Sequence, residues 1–306
     1  MTTFILKRLA LALLVGLAVS ILSFALVRLT GDVATAIAGE GAREEDIRAV
    51  RESYGLDRPM IVQYGAWLFG LLRGDFGTSY YFRTDVAALV ADKLPVTLIL
   101  GALSLVFALV ISVPLGVLAA LRPNSWIDRV ALSVAVAGQA LPNFFFALLL
   151  IMLFSITLRW LPVSGSGTWL HYVMPTIALG YYVTPAFMRV IRAGMIETLA
   201  SDYIRTAHAK GLLRSAVVIR HALRNALVPV VALAVVQLGY LLGGSVVIET
   251  VFALDGLGYL AYESITHKDL PVMQVVVLLL SVLYVLLTLL ADILNAWLDP
   301  RLRASM

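Results

Sequence analysis

Long apolar runs dominate the pattern of hydrophobic and polar positions along the 306 residues of the chain. Six runs are long enough for helices that cross a bilayer, which takes about 20 mostly apolar residues. The predicted spans are Leu9–Leu29, Pro95–Leu121, Val130–Leu158, Val173–Ile191, Leu227–Ile248 and Pro271–Leu298. The pattern therefore predicts an all-α fold, a polytopic membrane protein with six transmembrane helices.

Lysine and arginine are distributed unevenly over the segments that connect these spans. The rich segments hold Lys7, Arg8, Arg122, Arg129, Arg189, Arg192, Arg205, Lys210, Arg214, Arg220, Arg224, Arg301 and Arg303. The alternate short connections hold only Arg159 and Lys268. Short cytoplasmic loops carry the excess of basic residues, and six spans place every rich segment on one side. Both termini are therefore predicted to be cytoplasmic.

The chain divides into an N-terminal anchor helix at 1–29, an extracytoplasmic loop region at 30–94 and a core at 95–306. The core carries a cytoplasmic loop at 197–226 between spans four and five. Two short helices are predicted in the outer loop, Glu44–Tyr54 and Ile61–Leu72. They are interpreted as a small cap on the spans, with contact to a partner that delivers solute as the alternative.

Composition and missing motifs exclude several classes of protein. Hydrophobic residues make up 61% of the chain and charged residues 14%, whereas soluble domains are nearer one half and one quarter. No cysteine is present, which excludes disulfides and thiolate metal sites. None of the four lysines, Lys7, Lys93, Lys210 and Lys268, follows a glycine, so there is no P-loop for ATP. The sequence predicts neither an enzyme nor a metal site. The net charge of +4 is explained by the basic residues of the predicted cytoplasmic segments rather than by binding of nucleic acid.

Charged residues lie at the ends of the spans and the polar residues in their middles are uncharged, which disfavours an ion-coupled carrier without excluding it. The candidate residues of a translocation path are Gln139, Pro142, Asn143, Gln237, Tyr240 and Ser245. Hydrogen bonding between helices, commonly worth about 1 kcal/mol in membranes, is the alternative role. Three glycines, Gly239, Gly243 and Gly244, are predicted to allow close helix packing. Glu249 and Asp255 are expected to be solvated charges near the outer mouth, with contact to a binding protein or a peptide amine as the alternative.

The loop between spans four and five contains a short helix with clear boundaries. Ser201 or Asp202 suits the N-cap, and Gly211 suits the position after the helix. Two helical turns are predicted for Tyr203–Lys210, with Ile204 and Ala207 on one face. This helix either lies passively at the membrane surface or receives force from a soluble motor.

Two consecutive stretches of this loop, Tyr203-Ile-Arg-Thr-Ala-His-Ala-Lys-Gly211 and Arg220-His-Ala-Leu-Arg-Asn-Ala-Leu-Val-Pro229, resemble the cytoplasmic signature of ABC importer permeases. The resemblance is to the dipeptide, oligopeptide, glutathione and nickel branch. Arg205-Thr206-Ala207 occupies the Glu-Ala-Ala position of the wider family, whereas His208 departs from the expected arginine. Further matching segments are Phe4–Leu9, Tyr54–Pro59, Gly74–Ser79, Trp160–Pro162, Gly243–Phe252, Gly256–Gly258 and Asp299–Arg301.

This resemblance implies a permease subunit in the bacterial inner membrane that binds no cofactor itself. Its implied partners are a second homologous permease, two ATPase subunits or domains that hold ATP and Mg, and an extracytoplasmic solute-binding protein. The residues implied to contact the ATPase are Asp202, Tyr203, Arg205, Thr206, Ala207, His208, Lys210 and Gly211. The small side chains of Ala207 and Ala209 are expected to let the ATPase approach closely. Peptides are the implied solutes; nickel, glutathione and opines are alternatives, and a stand-alone secondary transporter is a further one.

Overall fold

The computed structural model describes residues 2–29, 32–39 and 41–298. The closing motif Asp299–Arg301 and the terminal arginines Arg301 and Arg303 lie outside the described residues. Apart from an isolated β-bridge between Thr78 and Asp85, the regular secondary structure of the described part is helical. The helices are α1 Thr2–Leu29, α2 Val33–Ala38, α3 Glu44–Ser53, α4 Met60–Leu72, α5 Val86–Leu121, α6 Trp126–Ala140, α7 Asn143–Leu150, α8 Leu170–Leu199, α9 Asp202–Ala209, α10 Arg214–Ala216, α11 Arg224–Ala226, α12 Val228–Phe252, α13 Leu257–Thr266 and α14 Leu270–Leu298. Two π-helical segments, Ile151–Thr157 and Val217–Leu223, continue α7 and α10.

Four helices in the described part are long and apolar enough to cross a membrane. Their apolar stretches are Leu6–Ala25, Val86–Leu121, Val228–Phe252 and Leu270–Leu294. They correspond to the first, second, fifth and sixth predicted spans. The predicted class, an all-α polytopic membrane protein, is thereby confirmed.

The third predicted span is not one continuous helix, so the expectation of a single rod over Val130–Leu158 is wrong. Helix α6 ends at Ala140 and α7 begins at Asn143. Leu141 and Pro142 between them have extended backbones, with ψ angles of 142° and 138°. A proline has no N–H to donate and disfavours helical geometry in the residue before it. Proline alone does not force a break, because α8 runs unbroken for 30 residues through Pro175 and Pro185.

The core of the bundle depends on close approaches between helices at glycines. A Cβ at Gly180 of α8 would lie 2.5 Å from the carbonyl oxygen of Ser104 in α5. A Cβ at Gly239 of α12 would lie 2.9 Å from the Tyr284 ring in α14, as predicted for a packing glycine. Gly243 has nothing within 4 Å, so its predicted packing role has no counterpart in this chain. Small residues permit such backbone approach in membrane bundles, where dispersion contacts drive association.

The outer loop forms the two helices predicted from its sequence, α3 and α4. The second packs against α1 through an aromatic cluster in which the rings of Phe24, Tyr64 and Trp67 have centroids 5.5 to 6.0 Å apart. The hydroxyl groups of Ser20 and Tyr64 also lie 2.7 Å apart. These contacts fasten the loop to the first membrane helix.

The two ends of the bundle carry different short helices. Helix α9 lies between α8 and α12, beside the π-helical segment Val217–Leu223, and α13 connects the opposite end of α12 to α14. Because α12 is a 25-residue helix, about 37 Å long, α9 and α13 belong to opposite ends of the molecule.

Candidate functional site

Helix α9 begins and ends where the capping pattern predicts. Ser201 is the N-cap, with φ −76° and ψ 153°, although its hydroxyl donates to the carbonyl of Thr198 rather than capping the helix. Helix α9 spans eight residues and is followed by Gly211 at φ +79°. That angle lies in the left-handed region, which favours glycine. The local prediction for this segment is therefore confirmed as structure.

One face of α9 is anchored in the bundle. Ile204 is 3% exposed and Ala207 is 6% exposed, and both belong to the main apolar core. The hydroxyl of Tyr203 accepts a hydrogen bond of 2.6 Å from Nδ2 of Asn225 in α11. Ala207 faces the chain's own interior, whereas Ala209 is exposed, so of these two small side chains only Ala209 is open to a partner.

The other face of α9 is open and polar. The implied contact residues that the structure leaves exposed are Asp202, Tyr203, Arg205, Thr206, His208, Lys210 and Gly211. Arg205 and Asp202 form an exposed ion pair of 3.1 Å, which contributes little to stability. Nδ1 of His208 lies 2.9 Å from the carbonyl oxygen of Ile204, so the ring is held along its own helix. The arrangement is a short polar ridge on an apolar base.

A buried ion pair near α9 is absent from the sequence-based expectations. The guanidinium of Arg192 in α8 donates to both oxygens of Asp128 in α6, over 2.7 and 2.6 Å. Asp128 is only 2% exposed, and the backbone N–H of Asn124 also donates to it. Bidentate pairs of this kind fix geometry strongly. The pair therefore ties the start of α6 to the part of α8 that leads into α9.

Polar and aromatic side chains from three helices meet near the middle of the bundle. Nε2 of Gln139 in α6 donates over 3.2 Å to the carbonyl of Tyr182 in α8. The Tyr182 ring stacks on Tyr240 of α12, with centroids 5.8 Å apart and planes 10° apart. Tyr240 is 45% exposed, and Gln139 is exposed as well. The structure thus brings together two of the predicted path residues around Tyr182, which the sequence analysis did not single out.

The other predicted path residues lie in less open positions or apart from this cluster. Ser245 is fully buried and donates to the Leu242 carbonyl within its own helix, so it faces the interior of the chain. Gln237 and Asn143 are half-buried, and Pro142 is exposed at the break between α6 and α7. The oxygen of the Asn143 side chain accepts from the N–H of Phe144.

The prediction that Glu249 is a solvated charge is wrong, because the structure buries its side chain completely. Its carboxylate accepts hydrogen bonds from the Thr97 hydroxyl at 2.8 Å and from the N–H groups of Gly258 and Tyr259 at 2.7 and 3.1 Å. Those two N–H groups belong to the first turn of α13. Glu249 of α12 therefore caps α13, which folds back onto α12. Asp255 pairs with Lys93, Nζ to Oδ2 being 2.6 Å.

A second buried carboxylate fastens the same end of the molecule. Asp269 is fully buried and accepts from the Ser79 hydroxyl at 2.5 Å and from the N–H groups of Tyr80 and Tyr81 at 3.2 Å each. The ring of Tyr81 stacks on His267, with centroids 3.7 Å apart. We call α13 together with the loop Ser79–Arg83 the outer cap.

Across the described residues no three His, Cys, Asp or Glu side chains are grouped as a metal site would require.

Comparison with known proteins gives two family matches that together extend over nearly the whole chain. Residues 112–304 match the binding-protein-dependent transport system inner membrane component, and residues 1–101 match its N-terminal membrane component. Over 304 residues the chain is 40% identical to the glutathione transport system permease protein GsiC of Escherichia coli (strain K12). The same identity relates it to GsiC of Salmonella typhimurium (strain LT2), and each alignment covers 99% of both chains.

Solved structures support the same fold. Inward-facing conformations of the methionine ABC transporter MetNI match with TM-scores of 0.56 for the native crystal form and 0.57 for the selenomethionine-soaked form. Sequence identity is 22% and 21%, and each match covers 69% of this chain and 96% of that chain. The resemblance recognised in the stretch between the fourth and fifth predicted spans is confirmed. The chain belongs to the binding-protein-dependent transport system inner membrane component family, as a multi-pass inner-membrane permease of an ABC importer of the peptide and glutathione branch.

Proposed function

We propose that this permease receives work from separate ATPase subunits through α9 and passes a peptide or peptide-like solute along an interface with a second permease. The observation that carries the proposal is the form of α9. It is a short helix that ends before the left-handed Gly211 and carries an open polar ridge, and its opposite face is buried in the bundle. A partner that grips the ridge would move the helices beneath it.

In this proposal the chain crosses the membrane six times, through α1, α5, the broken pair α6–α7, α8, α12 and α14. Six crossings place α9 on the same side as Lys7, Arg8 and the connection between α5 and α6. That side is rich in basic residues and is therefore cytoplasmic. The outer cap then faces the compartment from which a solute-binding protein delivers its cargo.

Force applied to α9 has three routes into the bundle. Ile204 and Ala207 transmit it through apolar packing, and the bond between Tyr203 and Asn225 transmits it to the segment before α12. The ion pair of Asp128 and Arg192 carries the motion of α8 into α6. Rigid-body movement of packed helices is a common form of such switching. ATP and Mg belong to two ATPase subunits or domains, since this sequence has no Gly-Lys-Ser/Thr motif.

The cluster of Gln139, Tyr182 and Tyr240 is the best-supported part of the path. Exposed amide and phenol groups at mid-depth are costly against lipid, so they favour a polar cavity or a partner permease. Neutral donors, acceptors and aromatic rings suit the amide groups of peptides. The relatives are named for glutathione transport, and glutathione, itself a peptide, is the first candidate solute. Nickel is disfavoured because this cluster offers none of the imidazole or thiolate ligands that suit nickel; opines are a third alternative.

The test places bulk on the polar ridge of the assembled transporter in proteoliposomes. Thr206→Trp adds an indole at an exposed position of α9, while Leu13→Trp adds one at a site on α1 that is 75% exposed. We expect Thr206→Trp to lower ATP-driven peptide uptake at least tenfold, with normal membrane insertion and continued ATP hydrolysis. Leu13→Trp keeps uptake within twofold of the parent protein.

Gly211→Val extends the same test to the end of α9. A β-branched residue is strained at φ +79°, so the ridge loses its shape while Ile204 and Ala207 remain buried. Uptake should fall more than ATP hydrolysis. Unchanged uptake in both Thr206→Trp and Gly211→Val would refute the assignment of α9 as the point of contact with the ATPase.

A further inference from the structure

A cavity of about 530 Å³ lies at the outer-cap end of the bundle, away from the mid-bundle cluster and from α9. It is bounded by the outer half of α1, by α2 and α4, by the loop 75–83 and by the first turn of α14. None of its lining residues belongs to the proposed path or to the ATPase contact. Its volume is in the range of pockets that hold small molecules.

Aromatic side chains form the apolar part of the cavity wall. Phe24 and Trp67 line it, and their ring centroids lie 5.7 Å apart. Tyr54 and Phe76 extend this wall. Amphipathic aromatic residues are enriched where a membrane meets water, at the depth of lipid headgroups. This part of the cavity suits a hydrocarbon chain or an apolar side chain next to a polar group.

Two opposite charges also line the cavity, and neither is neutralised. Arg83 and Asp75 both line it, yet neither takes part in any ion pair within 4.0 Å among the described residues. One oxygen of Asp75 accepts from the N–H of Gly77 at 3.0 Å. Arg83 has φ +57°, which is uncommon for a residue other than glycine. The two charges are therefore available to the opposite charges of one bound molecule.

A buried amide adds an unused donor beside the cavity. Gln274 lines the cavity from α14 and is 7% exposed. Its Nε2 is buried and has no hydrogen-bond partner among the described residues. Buried donors without an acceptor are rare in native proteins and call for an explanation. A ligand oxygen at the α14 side of the cavity would supply the missing acceptor.

We propose that this cavity binds a zwitterion whose anionic group meets Arg83 and Gln274 and whose ammonium group meets Asp75. Its apolar portion lies on Phe24 and Trp67. Guanidinium groups bind phosphate and carboxylate in a bidentate manner, so the same site accepts either anion. The headgroup of an aminophospholipid and a short peptide share this chemistry. Phe24 lies at the end of the apolar stretch Leu6–Ala25 of α1, where a membrane helix meets the headgroup region, and this position favours the lipid as the source.

The experiment uses the assembled transporter, purified in detergent and depleted of lipid. It is titrated with a short-chain phosphatidylethanolamine, with the matching phosphatidylglycerol and with the dipeptide Ala-Phe, and binding is read from the thermal unfolding midpoint and by native mass spectrometry. We expect the phosphatidylethanolamine to bind at least tenfold more tightly than the phosphatidylglycerol, which lacks the ammonium group. Arg83→Gln and Asp75→Asn should each weaken binding at least tenfold. The matched controls Arg48→Gln and Asp57→Asn, exposed outside the cavity, leave it unchanged.

Gln274→Met separates ligand binding from stability. Without ligand, this variant should unfold at the parent's temperature or above it, because it removes an unpaired donor. With the phosphatidylethanolamine it should gain less stabilisation than the parent. Binding of Ala-Phe alone would support the site and identify a free zwitterion as the source. Equal binding of the two lipids with no binding of the dipeptide, or parent-like binding by Arg83→Gln and Asp75→Asn, would overturn the proposal.

Discussion

The two ends of this permease are held together by different kinds of contact. At the outer cap two fully buried carboxylates, Glu249 and Asp269, accept hydrogen bonds from backbone N–H and hydroxyl groups. At the other end α9 is held by two buried apolar side chains and by the Tyr203 hydroxyl, which accepts a hydrogen bond from Asn225 and donates one to the His221 carbonyl, and its polar face is open. The two carboxylates of the cap find their hydrogen-bond partners within this chain, whereas the polar side chains of α9 face away from it.

The largest expected effect follows from removing the carboxylate at the outer cap. Glu249→Ala leaves the Thr97 hydroxyl and two N–H groups of α13 without an acceptor, which lowers the free energy of unfolding by about 3 kcal/mol. Thermal unfolding of the detergent-solubilised transporter measures the loss. Glu249→Gln keeps one acceptor oxygen and should lose less. A parent-like unfolding temperature for Glu249→Ala would show that the cap does not depend on this carboxylate.

A smaller effect is expected from the ion pair near α9. Asp128→Asn keeps the shape of the side chain but removes the charge that Arg192 faces. Because Arg192 retains some contact with solvent, we expect a loss of about 2 kcal/mol rather than the larger cost of a fully buried pair. The rate of uptake should fall further than the loss of folding stability alone explains, since the movement of α8 is no longer passed to α6.

A double-mutant cycle identifies the origin of that loss. Arg192→Gln combined with Asp128→Asn should cost less than the sum of the two single variants, because they break one interaction. Arg189→Gln, an exposed change three residues earlier on α8, serves as the control. Additive effects in the cycle would mean that the two side chains do not act as a pair.

The smallest expected effect concerns the attachment of α9. Tyr203→Phe removes the hydroxyl that accepts from Asn225, at a cost of about 0.5 kcal/mol because the ring is 42% exposed. The ratio of uptake to ATP hydrolysis should fall by about twofold, while Tyr262→Phe in the outer cap leaves the ratio unchanged. If Tyr262→Phe lowered this ratio more than Tyr203→Phe, the outer cap rather than α9 would be the end at which coupling is sensitive.

Sequence patterns were most informative where a single physical requirement determines the structure. The bilayer requires long apolar runs, and these predicted the four membrane-length helices. Capping chemistry predicted the ends of α9 through Ser201 and Gly211, since helix ends need specific residues and angles. The outer helices α3 and α4 followed from their amphipathic pattern in the same way.

Features that depend on distant parts of the chain could not be predicted from local sequence. Glu249 was expected in solvent because nothing near it indicates that α13 folds back to supply two N–H groups. The pairing of Asp128 with Arg192 joins residues 64 positions apart, and each looks like an ordinary charge at the end of a span. Tyr182 was overlooked because its role depends on Gln139 and Tyr240 from two other helices.

The interruption at Leu141 and Pro142 has a mechanical consequence for the permease. A continuous helix bends little, whereas the two extended residues between α6 and α7 interrupt the helical hydrogen bonds, so the angle between the two pieces is easier to change. Helix α6, which begins near Asp128, is fastened by Arg192 to α8, the helix that precedes α9. Helix α7 packs against α8 and α12 on the other side of the interruption. In the proposed mechanism, a displacement of α9 would become a change of angle at mid-depth, next to Gln139 and Tyr182, without shifting the outer cap.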